Sequence, residues 1–194
     1  MKLSVAIAPQ SAPPSAFFVW RGFDESIAKA ASFGFHGVEL ALRNAGEVDS
    51  GELDRWLARE GIEVSCISTG QVFAVSGLYF THPELSVREQ TFKVFKGLVD
   101  LAADHGKLIN VGRARGSYRD DQPPEETERL FIDMARRICD YGADRGVTLM
   151  IEPVNRYEIN FVNSVEQGAR LLKRVERENI GLMPDVFHMN IEDR

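Results

Sequence analysis

Two short segments hold the residue types that acid–base and metal chemistry require. Met150-Ile151-Glu152-Pro153-Val154-Asn155-Arg156-Tyr157-Glu158 is an apolar run that delivers a carboxylate and then a proline. Leu182-Met183-Pro184-Asp185-Val186-Phe187-His188-Met189-Asn190 also delivers an acid at the end of an apolar run, and a histidine follows three residues later. A carboxylate left unpaired at the end of a buried strand is costly, so each acid calls for a partner. If both strands end on the same side of a sheet, the two acids can face one point. Oxygen ligands of this kind suit Mg²⁺, Mn²⁺ or a similar divalent ion. Structural readings stand beside this one: Glu152 as a cap on a neighbouring amide, and Asp185 as the N-cap of a short helix. His188 has the chemistry for a metal or hydrogen-bonding role.

The elements that must position these residues repeat along the chain: an apolar run, a loop, an amphipathic stretch, a glycine, then another apolar run. The glycines are Gly34, Gly61, Gly106 and Gly146, with Asn179 as a candidate fifth closure. Glycine just past a helix takes the left-handed conformation that ends it. The runs Leu3 to Ala8, Gly37 to Leu40, Glu63 to Ser68, Leu108 to Val111, Thr148 to Glu152 and Ile180 to Asp185 read as strands. They are short, mostly continuous in apolar residues and do not alternate cleanly, as expected of strands buried on both faces. Between them lie helical stripes. One carries Phe92, Phe95, Val99, Ala102 and Ala103, and another Leu130, Phe131, Met134, Ala135, Ile138 and Cys139. Ser86 to Glu89 and Ser164 to Gln167 have capping-box spacing, and Pro123-Pro124 suits a helix start.

Alternating βα units leave a closed (β/α)8 barrel or an open doubly wound sheet. The turn after the first strand, Pro9-Gln10-Ser11-Ala12-Pro13-Pro14, cannot cradle a pyrophosphate with glycine amides. Polar residues close several strands instead: Glu39, Ser68, Thr69, Asn110, Glu152 and Asp185, which a barrel predicts. With 194 residues and a net charge of −6, the chain fits a single domain and argues against broad binding of nucleic acid or an anionic membrane. No stretch is long enough to span a bilayer, and Cys66 and Cys139 sit in no metal-spaced motif. Together these features predict a soluble, cytoplasmic protein with reduced thiols.

Glu152-Pro153-Val154-Asn155-Arg156-Tyr157-Glu158 with Asp185-Val186-Phe187-His188-Met189-Asn190 resembles the paired signature of the ketose 3-epimerases, the D-tagatose and D-psicose branch of the xylose isomerase-like TIM barrels. Gly37-Val38-Glu39-Leu40 and Val111-Gly112-Arg113 resemble that family too. The resemblance implies a sugar isomerase or epimerase acting on a ketose, or a related polyol ketone, through an enediolate. Glu152 would be both metal ligand and acid/base, and Asp185 the second metal ligand. Glu158 and His188 would hydrogen-bond substrate; Glu39 and Arg113 are further candidates for substrate contact, with structural hydrogen bonding the alternative for Glu39. The cofactor implied is Mn²⁺, Mg²⁺ or Co²⁺, and homo-oligomers (dimers or tetramers) are common in the family.

Relatives carry a further metal-site His after the seventh strand and a Glu after the eighth. This sequence ends at Arg194, so residues 1–194 are expected to be one barrel domain, C-terminally incomplete, covering about six βα units. A barrel fragment serving as a binding or assembly subunit is the competing reading. A nuclease of the endonuclease IV branch needs a His-rich zinc cluster and a basic surface, and four histidines with an acidic balance argue against it.

Other residues divide between roles. His36 and His105 are expected at helix ends or on the surface, and His82 in a solvated loop. Phe17, Phe18 and Trp20, like Phe73, Tyr79 and Phe80, suit either packing at the barrel mouth or an apolar wall for substrate. Arg113, Arg115, Tyr118 and Arg119 read first as a solvated loop, with a phosphate contact as the alternative.

Overall fold

A computed structural model describes residues 1–14 and 17–193. Six βα units follow one another: β1 (Ser4–Ala8), α1 (Phe23–Ser32), β3 (Gly37–Ala41), α2 (Ser50–Glu60), β4 (Glu63–Ser68), α3 (Gly70–Ser76), α4 (Leu85–Asp104), β5 (Leu108–Val111), α5 (Pro124–Ala143), β6 (Thr148–Ile151), α6 (Val165–Val175), β7 (Ile180–Leu182) and α7 (Val186–Glu192). A two-residue strand, β2 (Trp20–Arg21), lies beside β1. All strands pair in parallel in the order β2-β1-β3-β4-β5-β6-β7, the arc of an α/β TIM barrel.

The strands expected from sequence form within a few residues of their predicted bounds. Ile7, Leu40, Ile67, Ile109 and Ile151 are fully buried, because the helices cover one face of the sheet and side chains fill the other. The helical stripe of α5 is buried as its period requires. Behind the sheet, Phe80 packs on Phe95 (ring centroids 4.9 Å apart) and on Phe131 (5.9 Å), and Phe131 packs on Phe161 (5.7 Å). Phe80 is therefore a core residue and does not line the mouth. Both cysteines are free and buried, and burial pushes each thiol up to about 12.

Gly34, Gly61, Gly106 and Gly146 all take positive φ. Gly106 needs it most: φ is +77°, and a Cβ there would stand 2.7 Å from the Val64 carbonyl oxygen. Two predicted end signals fall elsewhere. Left-handed Glu176, not Asn179, closes α6, and Asn179 instead donates its amide to the carbonyls of Cys139 and Val147. Helix α4 starts at Leu85 with Glu84 at the N-cap, so Ser86 lies inside the helix and forms no capping box. Ser164 does cap α6, accepting from the Gln167 amide, and Pro124 opens α5. The stretch after β4, expected as loop, contains α3, and His82 is half-buried against the Tyr79 ring. His105 ends α4 as expected but is buried, its Nε2 2.9 Å from Asp54.

No helix among the described residues is long and apolar enough to cross a membrane.

Candidate active site

Parallel strands with matched register bring their C-terminal ends to one side. Val111 of β5 lies opposite Ile151 of β6, and Ile151 opposite Leu182 of β7. The pairing continues past the strands: the Glu152 N–H donates to the Val111 carbonyl (3.1 Å), and the Met183 N–H to that of Ile151 (3.0 Å). Glu152 and Asp185 therefore leave adjacent strands toward the same space. Gly112 packs close to the carboxylate: a Cβ there would stand 3.0 Å from Glu152 Oε2 and would push on that side chain.

The space is a cavity of about 550 Å³. Glu152, Asp185, His188, Glu158, Glu39 and Arg113 all line it, so the structure brings every residue singled out for chemistry to one place. Phe17 and Phe18 form part of its wall, whereas Trp20 turns away to stack on Phe33 (5.9 Å) and meet Phe35 edge-to-face (6.2 Å). Glu39 is the middle residue of β3, opposite Ala6 and Cys66, so it reaches the cavity from within the sheet and not from a strand end.

Ligand atoms of Glu152, Asp185 and His188 lie within 4.8 Å of one another. His188 Nε2 is 3.8 Å from Glu152 Oε1 and 3.9 Å from Asp185 Oδ2. Asp185 also caps α7, accepting from the Phe187 N–H at 2.7 Å, so the capping and site readings of this residue coexist.

The hydrogen bonds behind the ring assign the His188 tautomer. Asn155 is 2 % exposed, and its side chain is anchored at both ends. Its Oδ1 accepts from the Tyr157 N–H (3.0 Å), and its Nδ2 donates to Glu158 Oε1 (3.0 Å). The same Nδ2 stands 2.8 Å from His188 Nδ1, and the Asn155 backbone N–H also points there at 3.4 Å. Nδ1 is therefore an acceptor, and the neutral ring carries its proton on Nε2, facing the acids. His188 offers the cavity a hydrogen-bond donor.

Burial pushes Glu152 above the usual carboxylate range. The Asn110 amide, donating to Oε2 at 2.9 Å, and His188 pull it down, and Asp185 pushes it further up. Burial likewise raises Glu39, opposed by the Ser68 hydroxyl and reinforced by Glu152. The acids thus share the cavity with one another, and among the described residues only His188 stands beside them as a potential cation. A divalent cation fits this donor set: two carboxylates on adjacent strand ends and, among the described residues, no competing lysine or arginine ion pair.

Arg115 departs from the solvated-loop expectation. It is fully buried and donates to the carbonyls of Gly112 (2.7 Å), Glu152 (2.9 Å), Phe161 (2.7 Å) and Val162 (2.8 Å). The guanidinium ties the exit of β5 to the exit of β6 and fixes the backbone that carries Glu152. Arg119, by contrast, pairs at the surface with Asp121, as a solvated loop predicts. Asn155 and Arg115 are the two organising residues that sequence reasoning missed. Asn155 lay within the motif, and the Gly112 turn beside Arg115 was the only local signal for it.

Comparison with known proteins agrees with this geometry. The profile of the family described as xylose isomerase-like TIM barrel matches residues 27–194, and the chain belongs to that family. An L-ribulose 3-epimerase from Methylomonas sp. is 31% identical over 173 residues, covering 89% of this chain and 59% of that protein. A ketose 3-epimerase from Arthrobacter globiformis is 28% identical over 183 residues, or 90% of this chain and 62% of that protein. The crystal structure of a D-allulose 3-epimerase from Methylomonas sp. in complex with D-allulose superposes with a TM-score of 0.79 at 24% identity, over 100% of this chain and 66% of that one. The chain therefore spans roughly three-fifths of the length of these curated relatives.

Proposed function

We propose that this protein is a divalent-metal-dependent sugar epimerase or isomerase that acts on a ketose through an enediolate. The observation that carries the reading is the convergence of Glu152, Asp185 and His188, within 4.8 Å, at the ends of adjacent barrel strands. The epimerase names of the relatives support it.

Glu152 and Asp185 would hold the cation. When bound there, it supplies electrostatic stabilisation for negative charge developing on the substrate oxygens. Glu152 removes the proton from the carbon beside the carbonyl. His188 donates its Nε2 proton to a substrate oxygen, and Asn155 keeps that proton in place. Glu158, itself held by Asn155, accepts from a sugar hydroxyl, and Glu39 does the same from the opposite wall. Phe17 and Phe18 shield the reacting carbon from water.

Incubation with Mn²⁺ and D-fructose, D-psicose or L-ribulose in D₂O, followed by NMR, tests the reading. Deuterium at C3 marks epimerisation and deuterium at C1 marks aldose–ketose isomerisation. No deuterium at either carbon with any of these ketoses would refute it.

A further inference from the structure

Among the described residues, Arg113 is the single arginine or lysine lining the cavity, which it shares with four carboxylates: Glu39, Glu152, Glu158 and Asp185. It starts the turn directly after Gly112, the residue that packs against the Glu152 carboxylate. Its neighbours in sequence are already engaged, Arg115 by four carbonyls and Arg119 by Asp121. Arg113 forms no ion pair and no side-chain hydrogen bond among the described residues. Two aromatic rings hold it instead: the guanidinium carbon lies 5.4 Å from the Phe17 centroid and 5.6 Å from that of Phe73.

Rings against a guanidinium stabilise its charge without using its N–H donors. Those donors form a rigid, in-plane fork, which matches two oxygens of a phosphate or a carboxylate. The cavity thus combines four acids with one arginine that, among the described residues, is committed to no ion pair. We infer that the substrate is an anionic ketose, with a terminal phosphate or carboxylate received by Arg113 while its carbonyl end lies against Glu152. This inference rests on the epimerase reading above and narrows its substrate class.

The test compares three ketoses with the metal-loaded protein: D-fructose, D-fructose 6-phosphate and D-fructuronate. Deuterium uptake at the carbon beside the carbonyl gives kcat/KM for each. The expected result is a preference of roughly tenfold or more for a charged ketose over D-fructose, in line with the weight of a charge-assisted contact. Whichever charged ketose is preferred identifies phosphate or carboxylate as the natural group. In Arg113→Met the ratio of charged to neutral kcat/KM should fall by about the same factor, with the loss in KM, and Arg113→Lys should recover part of it. Inorganic phosphate should compete with D-fructose in the wild type, a readout that does not depend on any variant folding.

Equal use of charged and neutral ketoses, or a preference that survives in a natively melting Arg113→Met, would overturn the inference and leave the epimerase reading standing. Absence of uptake with all three ketoses would remove both.

Discussion

The carboxylates on the helical surface and those in the cavity live under opposite conditions. On α4 and α5, Glu89 meets Arg137 at 2.7 Å, and Arg129 bridges Glu126 (2.7 Å) and Asp133 (2.8 Å). Hydrogen bonds from these arginines hold Glu89 and Glu126 below the usual range at the protein surface. In the cavity, burial holds Glu39 and Glu152 above that range, and amides, hydroxyls and an imidazole stand where arginines would. Local charge balance satisfies the surface acids. The cavity acids are held in place by neutral donors and left open to a ligand, an arrangement typical of sites that do chemistry.

Four changes would break or sharpen this contrast. The largest effect is expected for Glu152→Gln, which keeps shape and removes the base: deuterium exchange should drop by roughly 10³-fold or more. Its melting temperature should stay at or above that of the wild type, and undiminished exchange would refute the assignment.

Next comes Arg115→Met. It leaves four carbonyls without their donor and should lower the unfolding free energy by about 3–5 kcal/mol in urea titration. A loss below about 1 kcal/mol would mean that water replaces the clamp.

Glu39→Gln tests the cost of cavity charge. Because the folded state raises the Glu39 affinity for its proton, the unfolded chain releases that proton first as pH rises through about 4.5. The folded state then binds more protons, and stability falls with rising pH across that window. Metal-free Glu39→Gln should therefore be more stable than wild type at pH 7 and no different at pH 3.5. Thermal melts at the two values read the sign.

The smallest effect belongs to Glu89→Ala, whose exposed pair with Arg137 contributes less than about 1 kcal/mol. Activity should not change.

Much of the fold was legible in sequence, because a parallel sheet covered on both faces demands continuous apolar strands and the βα rhythm needs glycine closures. The strand Leu108–Val111 and the stripe from Leu130 to Cys139 follow directly from those demands. Glu152 and Asp185 were legible because acids at the ends of apolar strands have no bland explanation in common. The misreadings arose where long-range partners decide. Arg115 resembles a loop arginine until the carbonyls of Phe161 and Val162, far along the chain, fold onto it. Strand β2 is two residues long and exists only by pairing with Ile7 and Ala8. Glu176 closes α6 in a left-handed turn that no local residue preference marks.

The central claim is the proposed one: that Glu152 and Asp185, which form no lysine or arginine ion pair among the described residues, hold a divalent cation. Native mass spectrometry with Mn²⁺ tests it most directly, read on the wild type, Glu152→Ala, Asp185→Ala and the surface control Glu89→Ala. The account predicts one ion per chain in the wild type and in Glu89→Ala, and none in the two cavity variants. No bound ion in the wild type, or equal uptake by all four proteins, would contradict it.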